Sequence, residues 1–402
     1  MPVFFKFRFL VADGCGHLVG KLLFRLTAGV YYLNQLQKQN IIAPLFQFAG
    51  AGSVALRANV RQRSKGYAVF ANAEYDLNDK LTAIAGIRWS RDEKSIQQTN
   101  GMYGNLDPLE PFKGYERDYK IPVGATLGEN EFTDATAGGL NKFGKNLWSA
   151  KFELDYKPSE GTLIYASVNR GVKAPGYNNG LVSIGLPFSE YYFKPERLMA
   201  YEVGLKSNIF GRMGNISVSS FYYDYKDYHA ISFIGVGSFI TNNDAKLYGL
   251  EADISLKPVR GLTIQVNGGL LHSKLYDAAN AAQIVDDREM PIAPSWTISG
   301  LVRYDFDVDG KRVGFQLDGR ARDAFFNNPG NDTAAKVPSY GILNGNLDIS
   351  DSDGKYKFSI GVKNIFDKRY KTSIFLLNGV AGYRYGFYAP PRWVTAEFSV
   401  NF

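Results

Sequence analysis

Apolar and polar residues alternate along most of this chain. Fourteen runs of nine or more residues hold a period of two: 22–33, 67–76, 81–91, 147–156, 162–170, 198–208, 214–227, 246–257, 262–275, 295–305, 312–324, 340–350, 355–366 and 392–402. In one of them Ala150, Phe152, Leu154 and Tyr156 oppose Lys151, Glu153, Asp155 and Lys157. In the last, Val394, Ala396, Phe398, Val400 and Phe402 oppose Thr395, Glu397, Ser399 and Asn401. Side chains of a strand point alternately to its two faces, so each run predicts a strand with one apolar and one polar side.

Run length and spacing narrow the architecture. Strands of globular proteins cluster near ~5–6 residues, whereas a tilted membrane-crossing strand needs about 9–11. The links between runs alternate in length, at about 33, 4, 55, 5, 27, 5, 18, 4, 19, 6, 15, 4 and 25 residues. The short ones carry turn chemistry, such as Lys157-Pro158-Ser159-Glu160-Gly161 and Lys257-Pro258-Val259-Arg260-Gly261. The prediction is an all-β protein: an antiparallel up-and-down transmembrane β-barrel of about 14 strands, with short turns on one rim and long loops on the other. The segment 231–241 also looks strand-like, but the alternation of links makes it an excursion within a long loop. The apolar faces are expected to meet lipid and the polar faces to line the lumen. Trp89, Trp148, Trp296 and Trp393, with Tyr31, Tyr32, Tyr75, Tyr156 and Tyr304, stand near strand ends and are expected in aromatic girdles.

Composition adds exclusions. Tyr (26), Phe (28) and Gly (42) in 402 residues suit strands broken by turns. The net charge of +7 is spread among 39 acidic residues, unlike the basic arm or patch of a nucleic-acid binder. Cys15 is the single cysteine, so neither an intrachain disulfide nor a cysteine metal site can form. His17, His229 and His272 lack ligand spacing, and no metal or cofactor is expected. No apolar run is long enough for a transmembrane helix. No nucleophile–base set or phosphate loop appears, so an enzyme is not expected. Residues 1–21, whose apolar run is broken by Lys6 and Arg8, read as an unassigned leader outside a barrel domain over 22–402.

Five segments carry a resemblance. They are Asn169–Asn178, Tyr201–Arg212, Tyr248–Pro258, Gly361–Ser373 and the closing Tyr385–Phe402. In order, they resemble the strand motifs of TonB-dependent outer-membrane receptors. Asn364, Ile365 (where Leu is usual), Phe366, Asp367 and Tyr370 match the penultimate-strand motif, and Pro391, Arg392 and Phe402 the closing one. The resemblance implies about 14 strands of a parent with about 22, short periplasmic turns and long extracellular loops. It gives Asn364, Phe366, Asp367, Tyr370, Pro391, Arg392 and Phe402 structural roles. A plug and the first strands have no counterpart here, so the chain is expected to be a fragment of a truncated or mis-started gene. The N-terminal region through which the family meets TonB is expected to be missing with them. The family takes up scarce nutrients, most often ferric siderophores, across the outer membrane of Gram-negative bacteria. Expected partners are outer-membrane lipid, the barrel-assembly machinery through the C-terminal strand, and a ferric chelate, but no nucleic acid. Tyr103, Tyr115, Arg117, Tyr119 and Lys120, in the longest loop, combine aromatics and cations suited to an anionic chelate. A passive 14-strand pore or a non-functional remnant are the alternatives.

Overall fold

A computed structural model describes residues 3–11, 24–45, 53–106, 126–133, 135–180, 187–234, 237–279, 284–377 and 383–401. In chain order the strands are β1 (Val3–Val11), β2 (Phe24–Leu45), β3 (Ser53–Asp76), β4 (Leu81–Leu106), β5 (Thr126–Phe132), β6 (Lys142–Tyr156), β7 (Thr162–Lys173) and β8 (Gly176–Tyr177). Then come β9 (Tyr192–Phe193), β10 (Glu196–Ile209), β11 (Gly214–Ile234), β12 (Gly237–Leu256), β13 (Leu262–Ala279), β14 (Val285–Arg288), β15 (Trp296–Val308) and β16 (Lys311–Arg322). The last are β17 (Phe325–Phe326), β18 (Lys336–Val337), β19 (Tyr340–Asp351), β20 (Tyr356–Lys363), β21 (Lys371–Leu377), β22 (Tyr383–Tyr388) and β23 (Trp393–Val400).

One antiparallel sheet forms the wall, in the order β1–β2–β3–β4–β6–β7–β10–β11–β12–β13–β15–β16–β19–β20–β23. From β2 onward this is the predicted set of fourteen strands in sequence order. Among the described residues, β1 and β23 each pair on one side only. Val3–Val11 runs antiparallel to Phe24–Tyr32, which corrects the reading of 1–21 as standing outside the sheet. Its sequence does alternate: Val3, Phe5, Phe7, Phe9 and Val11 against Phe4, Lys6, Arg8 and Leu10. Phenylalanine on both sides of that alternation hid the period.

The short turns make one rim. Lys157 N–H donates to Lys80 O (2.7 Å), Lys257 N–H to Met213 O (2.6 Å) and Asp305 N–H to Gly261 O (2.9 Å), so neighbouring hairpins are stitched sideways. Gly261 takes φ +83, and a Cβ there would stand 2.0 Å from the Asp305 carbonyl oxygen. At the other rim most predicted loops are continued hairpins. β2 and β3 stay paired from Phe24↔Tyr75 up to Leu45↔Val54. The predicted excursion at 231–241 is the upper part of the β11–β12 hairpin, displaced by a bulge between Tyr225 and Tyr228 with Asp227 at φ +55.

Partners across a ladder share a face, so the register sorts the side chains. Val69, Ile87, Phe152, Val168, Val203, Leu250, Val302 and Phe358 point outward and exposed, forming a continuous apolar band. Tyr32, Tyr67, Trp89, Trp148, Tyr248 and Trp296 border it toward the long hairpins, and Tyr75, Tyr156, Tyr304 and Tyr356 toward the turns. Trp148 to Tyr156 spans ~26 Å of strand at ~3.3 Å per residue, or ~20 Å of height at a barrel tilt, near the band an outer-membrane barrel presents. Tyr31 and Trp393 depart from the girdle expectation. Tyr31 lies under the Arg88 guanidinium on the inner face, and Trp393 pairs with Lys363 on the inner face. A residue at a strand end can face either way, and only the register decides.

Candidate ligand-binding rim and inner wall

Above the band the polarity of the faces inverts. In β3 the inner positions become apolar, and Ala58 and Val60 are buried. With Ile96, Phe132, Ala137, Tyr177 and Tyr191 they form a cluster that binds the β2–β3 and β4–β5 hairpins to Tyr177 and to residues 188–192. Ala230, Ala245, Leu275, Ala278 and Met290 form a second cluster between the next hairpins. Phe325, Ala335, Val337, Tyr340, Ile374 and Leu376 form a third under the β21–β22 hairpin. The rim is therefore built on packed side chains rather than on isolated loops.

Amide side chains lock these units together. Asn178 behaves as a strand would: its Nδ2 donates to Ile240 O (3.0 Å) and its Oδ1 accepts from Ile240 N–H (2.8 Å). Asn242 mirrors this, accepting from Lys194 N–H (2.7 Å) and donating to Asp227 O (2.8 Å). Asn243 caps the neighbouring bulge by donating to Tyr276 O and Asp277 O. Buried His229 bonds Lys194 O through Nε2 (2.7 Å), stacks edge-on to Phe193 and holds Nδ1 4.0 Å from Glu196. Burial pulls its imidazole below the ordinary value. Nearer the wall, Lys94 donates to Pro175 O (2.6 Å), and burial lowers its ammonium while raising the Asp92 carboxyl beside it. Burial also raises the Tyr177 and Tyr192 phenols.

The inner wall below is polar and internally paired. Arg25 bonds Glu74 (2.9 Å) and Asp76 (3.0 Å). Asp348 collects Arg303 (2.9 Å), Asn346 (2.8 Å) and Ser359 (2.7 Å). Two adjoining concavities of about 360 and 480 Å³ lie just inside the long-hairpin rim and share Asn267, Ser299 and Arg320. Arg322 lines the first of them, with its guanidinium over the rings of Phe325 (4.3 Å) and Tyr340 (4.7 Å). Arg320, Arg322 and Lys363 line these concavities with Glu251, Asp253 and Asp318, and with the rings of Tyr340, Tyr370 and Trp393, so the wall offers a polar or charged solute both signs of charge and aromatic faces. Among the described residues no group of three or more His, Cys, Asp or Glu is placed to hold a metal.

Of the residues expected to contact ligand, Tyr115, Arg117, Tyr119 and Lys120 lie outside the described residues. Tyr103 lies on β4, with its backbone paired to Ala55 and Thr126. Arg320 and Arg322 on β16 and Trp393 on β23, which the structure brings to adjoining concavities, lie some seventy positions apart in sequence and carry no local signal. Asn364, at φ +53, exchanges side-chain bonds with Lys368 N–H (2.9 Å) and O (3.0 Å). Asp367 accepts from Arg392 N–H (2.8 Å), and Tyr370 stacks on Tyr340 at 4.1 Å. These motif residues tie the end of β20 to the start of β23. Phe366 is 74% exposed, Pro391 is exposed beside Arg392, and Phe402 lies outside the described residues.

Comparison with known proteins places this architecture. A family model described as TonB dependent receptor-like, beta-barrel matches residues 6–365. The pesticin receptor of Yersinia enterocolitica is 21% identical over 310 residues, which cover 76% of this chain and 39% of that protein. The pesticin receptor of Yersinia pestis shares the same identity and coverage. The chain thus spans about two fifths of the length of these curated relatives. Among solved structures, the ferric yersiniabactin uptake receptor of Yersinia pestis superposes with a TM-score of 0.71 at 16% identity, over 96% of this chain and 52% of that one. A ferric-catecholate import receptor of E. coli does so at 0.60 and 14%, over 94% and 49%. The inward-polar, outward-apolar sheet, its stitched turns and its long hairpins are those of the β-barrel domain of the TonB-dependent receptors, and the chain belongs to that family.

Proposed function

We propose that this chain is barrel wall and ligand-binding rim of an outer-membrane receptor for ferric siderophores. The carrying observation is the concave inner wall just under the long hairpins, where Arg320 stands between a concavity lined by Arg322 and Tyr340 and one lined by Trp393, in a family with solved members named for ferric yersiniabactin and ferric catecholates. In this reading the short turns face the periplasm and the long hairpins the exterior, and the apolar band meets lipid. The C-terminal strand, which alternates up to its last residue, is the segment the assembly machinery reads. Cation–π and guanidinium–carboxylate contacts favour a bulky anionic complex over a neutral sugar.

The test is direct binding. The full chain, folded in detergent, is titrated with ferric yersiniabactin, a ferric catecholate and a neutral oligosaccharide while Trp fluorescence is followed. Quenching is expected from a ferric chelate and not from the sugar, with about tenfold weaker binding in Arg320→Ala. Equal response to the sugar, or none to any chelate, would remove the reading.

A further inference from the structure

The outward face of β3 changes character at one residue. Below, Tyr75, Val69 and Tyr67 are exposed and apolar. Above, the same face reads Lys65, Arg63 and Arg61, because Gln62 and Ser64 take the intervening inner positions. Lys38 lies directly opposite Arg61 on β2 and adds a fourth cation. The Tyr32–Tyr67 ring pair, 5.3 Å apart, marks the boundary.

Several other outward-facing cations of this rim are held by carboxylates. Around the rim, Arg197 is paired with Asp227 (2.9 Å), Lys226 with Asp244 (2.7 Å) and Lys274 with Asp287 (2.6 Å). Lys38, Arg61, Arg63 and Lys65 make no ion pair or hydrogen bond through their side chains among the described residues. Glu93, opposite Lys65, is held by Arg91 at 2.8 Å. Glu129 and Glu131 of β5 sit at register positions opposite Gly101 and Thr99, further from the band than the row. Four like charges on one sheet face repel each other unless a counter-charge is supplied.

Their height says what supplies it. At ~3.3 Å per residue, Lys65 and Arg61 stand ~7 and ~20 Å along the strand above Tyr67, or about 5 and 15 Å in height on a tilted strand. The headgroup layer occupies roughly 5–8 Å beyond the hydrocarbon on each side. Long Lys and Arg side chains reach down into that layer, and guanidinium groups bind phosphate through paired N–H donors. We propose that Arg61, Arg63 and Lys65, with Lys38 beside them, bind the phosphates of lipid headgroups in the leaflet on the long-hairpin side.

The inference rests on the membrane placement proposed above, and the test separates the two. The full chain is folded in detergent, its insertion checked by heat-modifiable migration, and its Tm followed as lipid A is added. Lipid A stripped of phosphate and inorganic phosphate serve as comparison probes. Intact lipid A should raise Tm, and R61Q/R63Q/K65Q should weaken the apparent affinity by about fivefold per cation, on the order of a hundredfold in all. The variant K80Q/K311Q/K355Q, with the same charge removed from the short-turn rim, should bind as the parent does. Unchanged affinity in the first variant, an equal shift from phosphate-free lipid A, or full competition by inorganic phosphate would each overturn the headgroup site. A parent chain that never becomes heat-modifiable would instead overturn the placement, and this inference with it.

Discussion

Gly261 and Gly354 both turn the chain at positive φ, yet they should respond differently to a methyl group. Gly354 (φ +67) has nothing within reach of a Cβ, whereas Gly261 faces the Asp305 backbone carbonyl. Gly354→Ala should cost about 1 kcal/mol, the backbone term alone, and Gly261→Ala about 2–3 kcal/mol. Urea midpoints of the detergent-folded variants compare them, and equal midpoints would contradict the stitched-turn geometry. The Lys-Pro turn signals were legible in sequence because each acts locally. His229 was not, since its environment comes from Lys194, Glu196 and Phe193, more than thirty positions away. Burial lowers its imidazole, with Lys173 and Lys94 adding in the same direction, against the hydrogen bond to the Lys194 carbonyl and the charge of Glu196. The unfolded chain, with an ordinary pKa of ~6.5, therefore takes up the proton first as pH falls. Rim stability should be complete above that value and decline below it. Amide protection factors, corrected for the intrinsic pH dependence of exchange, should fall across 226–234 and 237–243 between about pH 6.5 and 5, and flat protection over that range would refute the assignment.

The hairpins are the elements that sequence patterning placed well and measured badly. Each predicted strand was found, but β2, β3, β4, β11 and β12 run on well past the predicted ends. The cause is the inversion above the band. Ala58 and Val60 face in while Arg61, Arg63 and Lys65 face out, so the alternation persists with its sense reversed and reads as a break. What holds these extensions together is the side-chain ladder of Asn178 and Asn242. Asn242→Ala removes the acceptor of Lys194 N–H and the donor to Asp227 O, and Asn178→Ala the pair to Ile240. Each should cost about 1–3 kcal/mol, and hydrogen exchange should rise in 237–243 and 187–195 together. Exchange that rises in one segment alone would mean the two are not mechanically joined.

Across the whole molecule, the wall depends on polar networks that replace a conventional core. Asp348 gathers donors from β15, β19 and β20, so Asp348→Ala should leave Asn346 and Ser359 without this acceptor and Arg303 with Asp305 alone, and cost about 1–3 kcal/mol. The shift of the heat-modifiable band to lower temperature is the readout, and an unchanged band would show the network to be idle. The all-β architecture and strand order were legible because two-residue periodicity and turn spacing are local properties, and the family was legible through the motifs that resemble it. The ligand groove was not, because β16, which carries Arg320 and Arg322, and β23, which carries Trp393, share one wall only through the intervening β19 and β20. The tryptophans give this arrangement a use of another kind. Trp89, Trp148 and Trp296 look outward at the long-hairpin boundary of the apolar band, while Trp393 looks into the groove. Bromine on lipid tails should darken the first three and leave the fourth, and acrylamide the reverse. The chain carries its own optical depth gauge, able to report which way up it sits.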